Sequence, residues 1–255
     1  RLADRFVVLG GCLGGRGGWA GGEPVCRGAL EIYEKVHGPE HEDVAFSLVG
    51  QARCRAQCGQ HDYAVKLYNR ALKVYEVLRG QEHEDIVTTL EGLAQCLMAQ
   101  RNYEQAIPVL ERQIKTSAQV RGPFDEGSGN TFFSLARCYD EMNNDKKAIP
   151  YFLRALEVYE HLCESDKEQL ANCRYNLARC YQGIREFLKA APLYAKALDY
   201  FKTARGLERS AAYCTFALAT CYMAAGDYRA EEYLRRARAL YEETFGLEHM
   251  QTAYL

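Results

Sequence analysis

Three groups of side chains in this sequence have the types and spacings from which a metal centre, a redox site or a phosphate loop is built. His41, Glu42 and Asp43, echoed by His83, Glu84 and Asp85, offer imidazole and carboxylate donors in a tight string. Both strings fall at the same point of a repeating pattern, just ahead of a helix, where turn formation and helix capping account for them. Cys54, Cys58 and His61 have ligand-like spacing, yet Cys54 belongs to a phased series of thiols on one helical face, which makes it a small core filler. No metal site is therefore predicted. Gly10–Gly22 is rich in glycine but has no Lys-Ser/Thr after it, no GxGxxG follows a strand, and no nucleophile sits in a GxSxG context. The expectation is a chain without catalytic residues or cofactors. Eleven cysteines form an odd count with no CxxC pair, in a chain too large to need disulfide staples, so reduced thiols are expected.

The elements that carry these residues follow from internal repetition. The string around Cys54 (QARCR) recurs as LAQCL at Leu93, LARCY at Leu135, LARCY at Leu177 and LATCY at Leu218, and Cys54, Cys96, Cys138, Cys180 and Cys221 are spaced by 42, 42, 42 and 41. A second string keeps the same phase: ALEIYE at Ala29, ALKVYE at Ala71, ALEVYE at Ala155, ALDYF at Ala197 and ARALYE at Ala237. Within Thr131–Met142, Leu135, Ala136, Cys138 and Tyr139 fall on one stripe, the signature of an amphipathic helix, here helix A. Short breaks such as GQHD at Gly59 and NND at Asn143 end helix A and start a second striped helix, helix B, typified by Ala148–Leu162. Loops such as HGPEHED from His37, RGQEHED from Arg79 and RGPFDE from Arg121 then join one unit to the next. Ala64, Ala106, Ala148 and Ala190 recur early in helix B, where a small side chain lets the two helices approach to within ~8–10 Å. One such pair cannot shield both its faces, so neighbouring pairs must stack.

A small residue in mid-helix A, an aromatic three later, and alanines seven apart in helix B resemble the tetratricopeptide pattern. The 42-residue period, the GPEHEDVA turn at Gly38 and AAPLYAKAL at Ala190 resemble the longer repeats of kinesin light chain and its relatives, with Pro24, Pro108, Pro150 and Pro192 at the family's proline position. The resemblance covers about residues 23–255. It implies an all-α fold, a right-handed α-solenoid (superhelix) of antiparallel helix pairs, with about five full units of 40–42 residues and partial units at both ends. Residues 1–22 read as a Gly-rich degenerate helix or irregular segment: the period places a degenerate helix A over Ala3–Trp19 with Cys12 in phase, and Met250–Leu255 begin another helix A.

In the family the A helices line a concave wall, and the matching positions lie one, five and eight residues before each phased cysteine. They are Arg53, Gln95, Arg137, Arg179 and Thr220; Val49, Glu91, Phe133, Tyr175 and Phe216; and Phe46, Thr88, Asn130, Asn172 and Tyr213. The predicted peptide-binding groove comprises Asn130, Phe133, Arg137, Asn172, Tyr175, Arg179, Tyr213 and Phe216. Its guanidinium forks suit carboxylates, its carboxamides suit an extended backbone, and its aromatics suit a large apolar side chain, so the expected partner is a protein or peptide segment carrying acidic and large apolar residues. The family's clamp for the carboxyl terminus of heat-shock chaperones does not fit. Asn176 stands at its second-helix position, but Phe133 and Arg137 stand where Lys and Asn are required.

With 32 basic and 34 acidic residues the chain has no field to attract nucleic acid or a membrane surface, and neither partner is predicted. No apolar run reaches the ~18 residues of a membrane helix, and Arg1–Leu13 lacks a signal-peptide core, so a cytoplasmic protein is expected. The resemblance implies a non-catalytic interaction scaffold, of the cargo-adaptor kind or working at the cytoskeleton or cilium, in a motor or ciliary complex. The heptads that join a light chain to its motor are absent from these residues, so the resemblance does not reach that attachment. The alternative class is a regulatory sensor that wraps a small ligand or a flanking catalytic module.

Overall fold

Helical periodicity in the sequence becomes helix wherever the structure, a computed structural model, describes the chain: residues 19–122, 124–162 and 167–245. The helices are α1 (Trp19–His37), α2 (Glu42–Gln57), α3 (His61–Arg79), α4 (Glu84–Ala99), α5 (Tyr103–Val120), α6 (Glu126–Glu141), α7 (Asp145–Leu162), α8 (Lys167–Gly183), α9 (Phe187–Phe201), α10 (Glu208–Ala224) and α11 (Arg229–Phe245). No strand occurs among the described residues. The degenerate helix expected over Ala3–Trp19, with Cys12, and the start of a helix at Met250 lie outside them, apart from Trp19, the first residue of α1.

The chain divides into two compact units, Arg1–Asp125 and Glu126–Leu255. In the first, each of α1 to α5 packs on the next as consecutive antiparallel pairs, and α2 also touches α4. In the second, α6 to α11 do the same, and α8 touches α10. Each unit is a stack of the tetratricopeptide solenoid type, with A helices α2 and α4 in one and α6, α8 and α10 in the other.

Helix ends explain why the repeats keep their phase. At the turns from helix A to helix B, Gly59, Arg101, Asn143, Arg185 and Gly226 all adopt positive φ, between 56° and 77°. The next residue's N–H then reaches back across the turn, as Asn102 N does to Leu97 O and Asn144 N to Tyr139 O, both at 2.9 Å. These bonds satisfy carbonyls that the helix end would otherwise orphan. Arginine in the left-handed region costs about 1–2 kcal/mol relative to its usual conformation, so Arg101 and Arg185 show the repeat imposing its turn against local preference. At the start of the A helices, His41 Nδ1 accepts from Asp43 N–H and His83 Nδ1 from Asp85 N–H, each at 3.2 Å. These are the caps that the sequence led one to expect at His41 and His83.

The core is built from the phased residues. Ala64, Ala106, Ala148 and Ala190 are completely buried, as are Leu135, Leu177 and Leu218 on the A helices. Gly92 of α4 admits the ring of Tyr68 from α3, and a Cβ there would fall 2.5 Å from Tyr68 Cζ. Larger residues at such positions would force the helices apart. In the loops, Arg79 pairs with Glu42 and lies 3.6 Å from Asp85, while Arg121 pairs with Glu84 and lies 3.4 Å from Asp125. The guanidinium of Arg121 holds the Glu84 carboxyl below its ordinary range.

All five phased cysteines are buried among the A-helix contacts. Burial pushes the thiols of Cys96, Cys138 and Cys221 up to about 11, and that of Cys180 up as well, so they stay protonated and unreactive near neutrality. Cys58, at the end of α2, is exposed. Alkylation of the native protein followed by mass spectrometry is expected to modify Cys58 and to spare these four thiols until the protein is unfolded. Rapid native labelling of Cys138 or Cys180 would contradict the packing.

Candidate functional site

On the A helices α2, α4, α6 and α8 the residue just before the phased cysteine faces away from the core. Arg53, Gln95, Arg137 and Arg179 are accordingly exposed, one position from thiols that are at most 2% accessible. That single step of about 100° around the helix separates interior from wall.

In the second unit the wall residues of α6 and α8 enclose a cleft of about 450 Å³. It brings together five of the eight predicted groove residues: Asn130, Phe133 and Arg137 from α6, and Asn172 and Arg179 from α8. The Phe133 ring meets Phe152 of α7 edge-on at 5.5 Å and is fixed by it. Asn130 accepts from the Tyr159 hydroxyl at 2.8 Å, which orients its carboxamide so that the NH₂ remains for another acceptor. Arg179 is engaged by Asp140 of α6. Burial raises the Asp140 carboxyl above its ordinary range, and the Arg179 guanidinium works against that shift. Arg137, by contrast, has no acidic partner among the described residues and stands exposed at the rim.

Tyr175, Tyr213 and Phe216 are placed differently and do not line this cleft. Tyr175 packs edge-on against Tyr194 at 5.6 Å and Phe201 at 6.3 Å, and burial raises its phenol. Tyr213 and Phe216, on α10, meet Tyr241 of α11 at 5.7 and 6.3 Å and keep little more than a third of their surface exposed. These rings anchor helix B on helix A while showing one edge to solvent.

Asp140, Glu141, Tyr159, Gln169 and Asn176 complete the cleft but were not among the predicted groove residues. Gln169 Oε1 is buried there with no hydrogen-bond partner among the described residues. Asn176 donates to the Asn172 backbone carbonyl at 2.8 Å, one turn back on its own helix. The sequence signal for Gln169 was present: it lies three residues before Asn172, one turn along the same helical face. Asp140, Asp145 and Cys180 bring donor atoms within 4.8 Å of one another. With Asp140 paired to Arg179 and the Cys180 thiol raised by burial, this cluster is a structural ion pair over a thiol.

A larger cleft of about 670 Å³ occupies the equivalent place in the first unit. Phe46, Val49 and Arg53 of α2 and Thr88, Glu91 and Gln95 of α4 line it, all six at the wall positions assigned by repeat phase. Gln95 donates to Glu91 at 3.4 Å, and His61 Nδ1 is buried without a hydrogen bond among the described residues. None of these six is among the predicted groove residues, all of which fall in the second unit.

Stacked helix pairs with a polar wall on successive A helices define a repeat scaffold. The tetratricopeptide repeat family model matches residues 6–77, 85–161 and 145–203, and the chain belongs to that family. No curated protein matches the sequence. Among solved structures, the putative kinesin light chain nearly identical TPR-like repeats of Podosopora anserina superpose with a TM-score of 0.67 at 20% identity, covering 80% of this chain and 97% of that one. BtubC (BKLC) from P. vanneervenii gives 0.69 at 19% identity over 96% of this chain and 93% of its own. YrrB, described as a TPR protein with an unusual peptide-binding site, gives 0.63 at 16% identity over 88% and 95%. At these identities the likeness is one of fold.

Proposed function

We propose that this tetratricopeptide protein is a non-catalytic scaffold whose α6–α8 cleft receives an extended segment of a partner protein. Arg137 takes a carboxylate of that segment, the carboxamides of Asn130 and Asn172 hold its backbone, and Phe133 receives a large apolar side chain. The observation that carries this reading is the exposed Arg137 guanidinium, which has no acidic partner among the described residues, beside the amides of a ready-made cleft. Arg179 has a lesser part, because Asp140 already engages it. The segment therefore needs one well-placed acid rather than an acidic run.

The kinesin-light-chain-like repeat sequence supports cargo or cytoskeletal adaptor work in the cytoplasm as the setting. No helix among the described residues is long and apolar enough to cross a membrane. Selection of a random peptide pool against the full chain tests the proposal. Enrichment of peptides with an acid near a large apolar residue, lost on Arg137→Glu, is the expected outcome; identical enrichment by both proteins would refute it.

A further inference from the structure

The loop between α1 and α2 gathers three metal-ligating side chains that the proposed scaffold function leaves unused. α1 ends at His37, Gly38 reverses the chain at φ 84°, and α2 begins with His41 as its cap and Asp43 in its first turn. The turn stacks the His37 and His41 imidazoles with centroids 4.2 Å apart and planes 17° from parallel. Both rings face one carboxylate oxygen: His37 Nε2 lies 3.6 Å and His41 Nδ1 3.3 Å from Asp43 Oδ2.

We infer that His37, His41 and Asp43 form a binding site for a divalent first-row transition metal. Donors bound at ~2.1 Å in tetrahedral geometry stand ~3.4 Å apart. The two contacts to Asp43 are already at that spacing, and all three donor atoms lie within 4.8 Å of one another. The imidazoles are about 40% exposed, so small ring rotations close the remaining gap without disturbing the core. Two imidazoles and one carboxylate suit Zn(II), Co(II) or Ni(II) and disfavour Ca(II) and Mg(II), which seek all-oxygen shells. Three protein ligands leave a position open for water. The His41 Nδ1 lone pair now accepts from Asp43 N–H at 3.2 Å, so coordination by that nitrogen exchanges a helix cap for a metal bond.

The next repeat provides a control within the same chain. Forty-two residues on, Gly80 makes the same turn at φ 76° and His83 caps α4 beside Asp85 at 3.2 Å. The residue equivalent to His37 is Arg79, whose guanidinium lies 3.0 Å from His83 Nε2 and 3.6 Å from Asp85. A permanent cation thus fills the place where the first loop offers a third donor. His37 is therefore not required by the repeat's turn, and replacing it by Arg restores the arrangement found one repeat later.

Calorimetric titration of the full chain with Zn(II) alone, under a phosphine reductant and in a Cys58→Ser background that removes the one exposed thiol among the described residues, tests the site. H37R is expected to weaken or abolish one equivalent of binding by at least about tenfold with unchanged helical circular dichroism. R79H in the same background is expected to add one equivalent. Identical isotherms for the C58S protein and its H37R derivative would overturn the proposal, as would absence of saturable Zn(II) binding by C58S.

Discussion

Replacing Phe152 with alanine is expected to destabilise the second unit by about 3–5 kcal/mol, the largest single-site effect the structure implies. Phe152 is wholly buried on α7, packed with Ala136, Ala148, Ala155, Leu177 and Cys180 from three successive helices. Its ring supports Phe133 edge-on, and its carbonyl accepts from the Cys173 thiol at 3.4 Å. Most of the buried neighbours are alanines and thiols held by helix backbones, too short to fill the space left by a phenyl ring. That rigidity places the cost toward the upper end, because cavity energy adds to lost transfer energy. Leu153, the next residue, is 43% exposed, and Leu153→Ala should fall within about 0.5 kcal/mol of wild type. Urea unfolding of both variants checks the contrast. A Phe152→Ala cost below 1 kcal/mol would mean that α7 does not seat against α6 and α8 as described.

Arg137→Glu is expected to weaken capture of an acid-bearing peptide by about 30-fold or more, the equivalent of a hot-spot residue worth ~2 kcal/mol. The change removes the guanidinium fork and sets a carboxylate beside Asp140 and Glu141, which already line the cleft. Arg137→Lys should retain part of the affinity, since it keeps the charge and loses the planar fork. Stability should hardly move, because Arg137 is exposed and has no acidic partner among the described residues to strand. Arg179→Glu is the poorer probe. It would drive a second carboxylate against Asp140, whose carboxyl burial already raises, and so confound binding with folding.

The sequence reveals position around a helix better than the partner of a side chain. Forty-two-residue phase alone puts Cys96, Cys138 and Cys180 in the interior and Arg137 and Arg179 on the wall, because one residue turns the helix by about 100°. The alanines at 64, 106, 148 and 190 are legible for the same reason: close helix approach leaves room for a methyl group and little else. What phase cannot convey is how a side chain is used once it reaches its face. Nothing in the string LARCY distinguishes Arg137, which is left to solvent, from Arg179, which is drawn onto Asp140 of the preceding A helix. Tyr213 and Phe216 occupy wall positions, yet their rings lean on Tyr241 because aromatic side chains are long enough to choose between the wall and the next helix.

Turns show the same division. Gly59 and Asn143 announce a left-handed residue, whereas Arg101 and Arg185 adopt it with no local signal, held there by the repeat around them. Similarly, RGPFDE differs little from RGQEHED in the sequence, although the boundary between the two compact units falls within it, at Asp125.

The proposed binding mode sets a partner segment against α6 and α8. A peptide from the selected pool, carrying a photoreactive side chain next to its acid, can be cross-linked to the full chain and the adducts located by mass spectrometry. This binding mode predicts adducts within Glu126–Glu141 and Lys167–Gly183, displaced by unlabelled peptide and lost in Arg137→Glu. Adducts gathered instead around the solvent-facing Leu153 and Leu188, which stand outside the cleft, would contradict it.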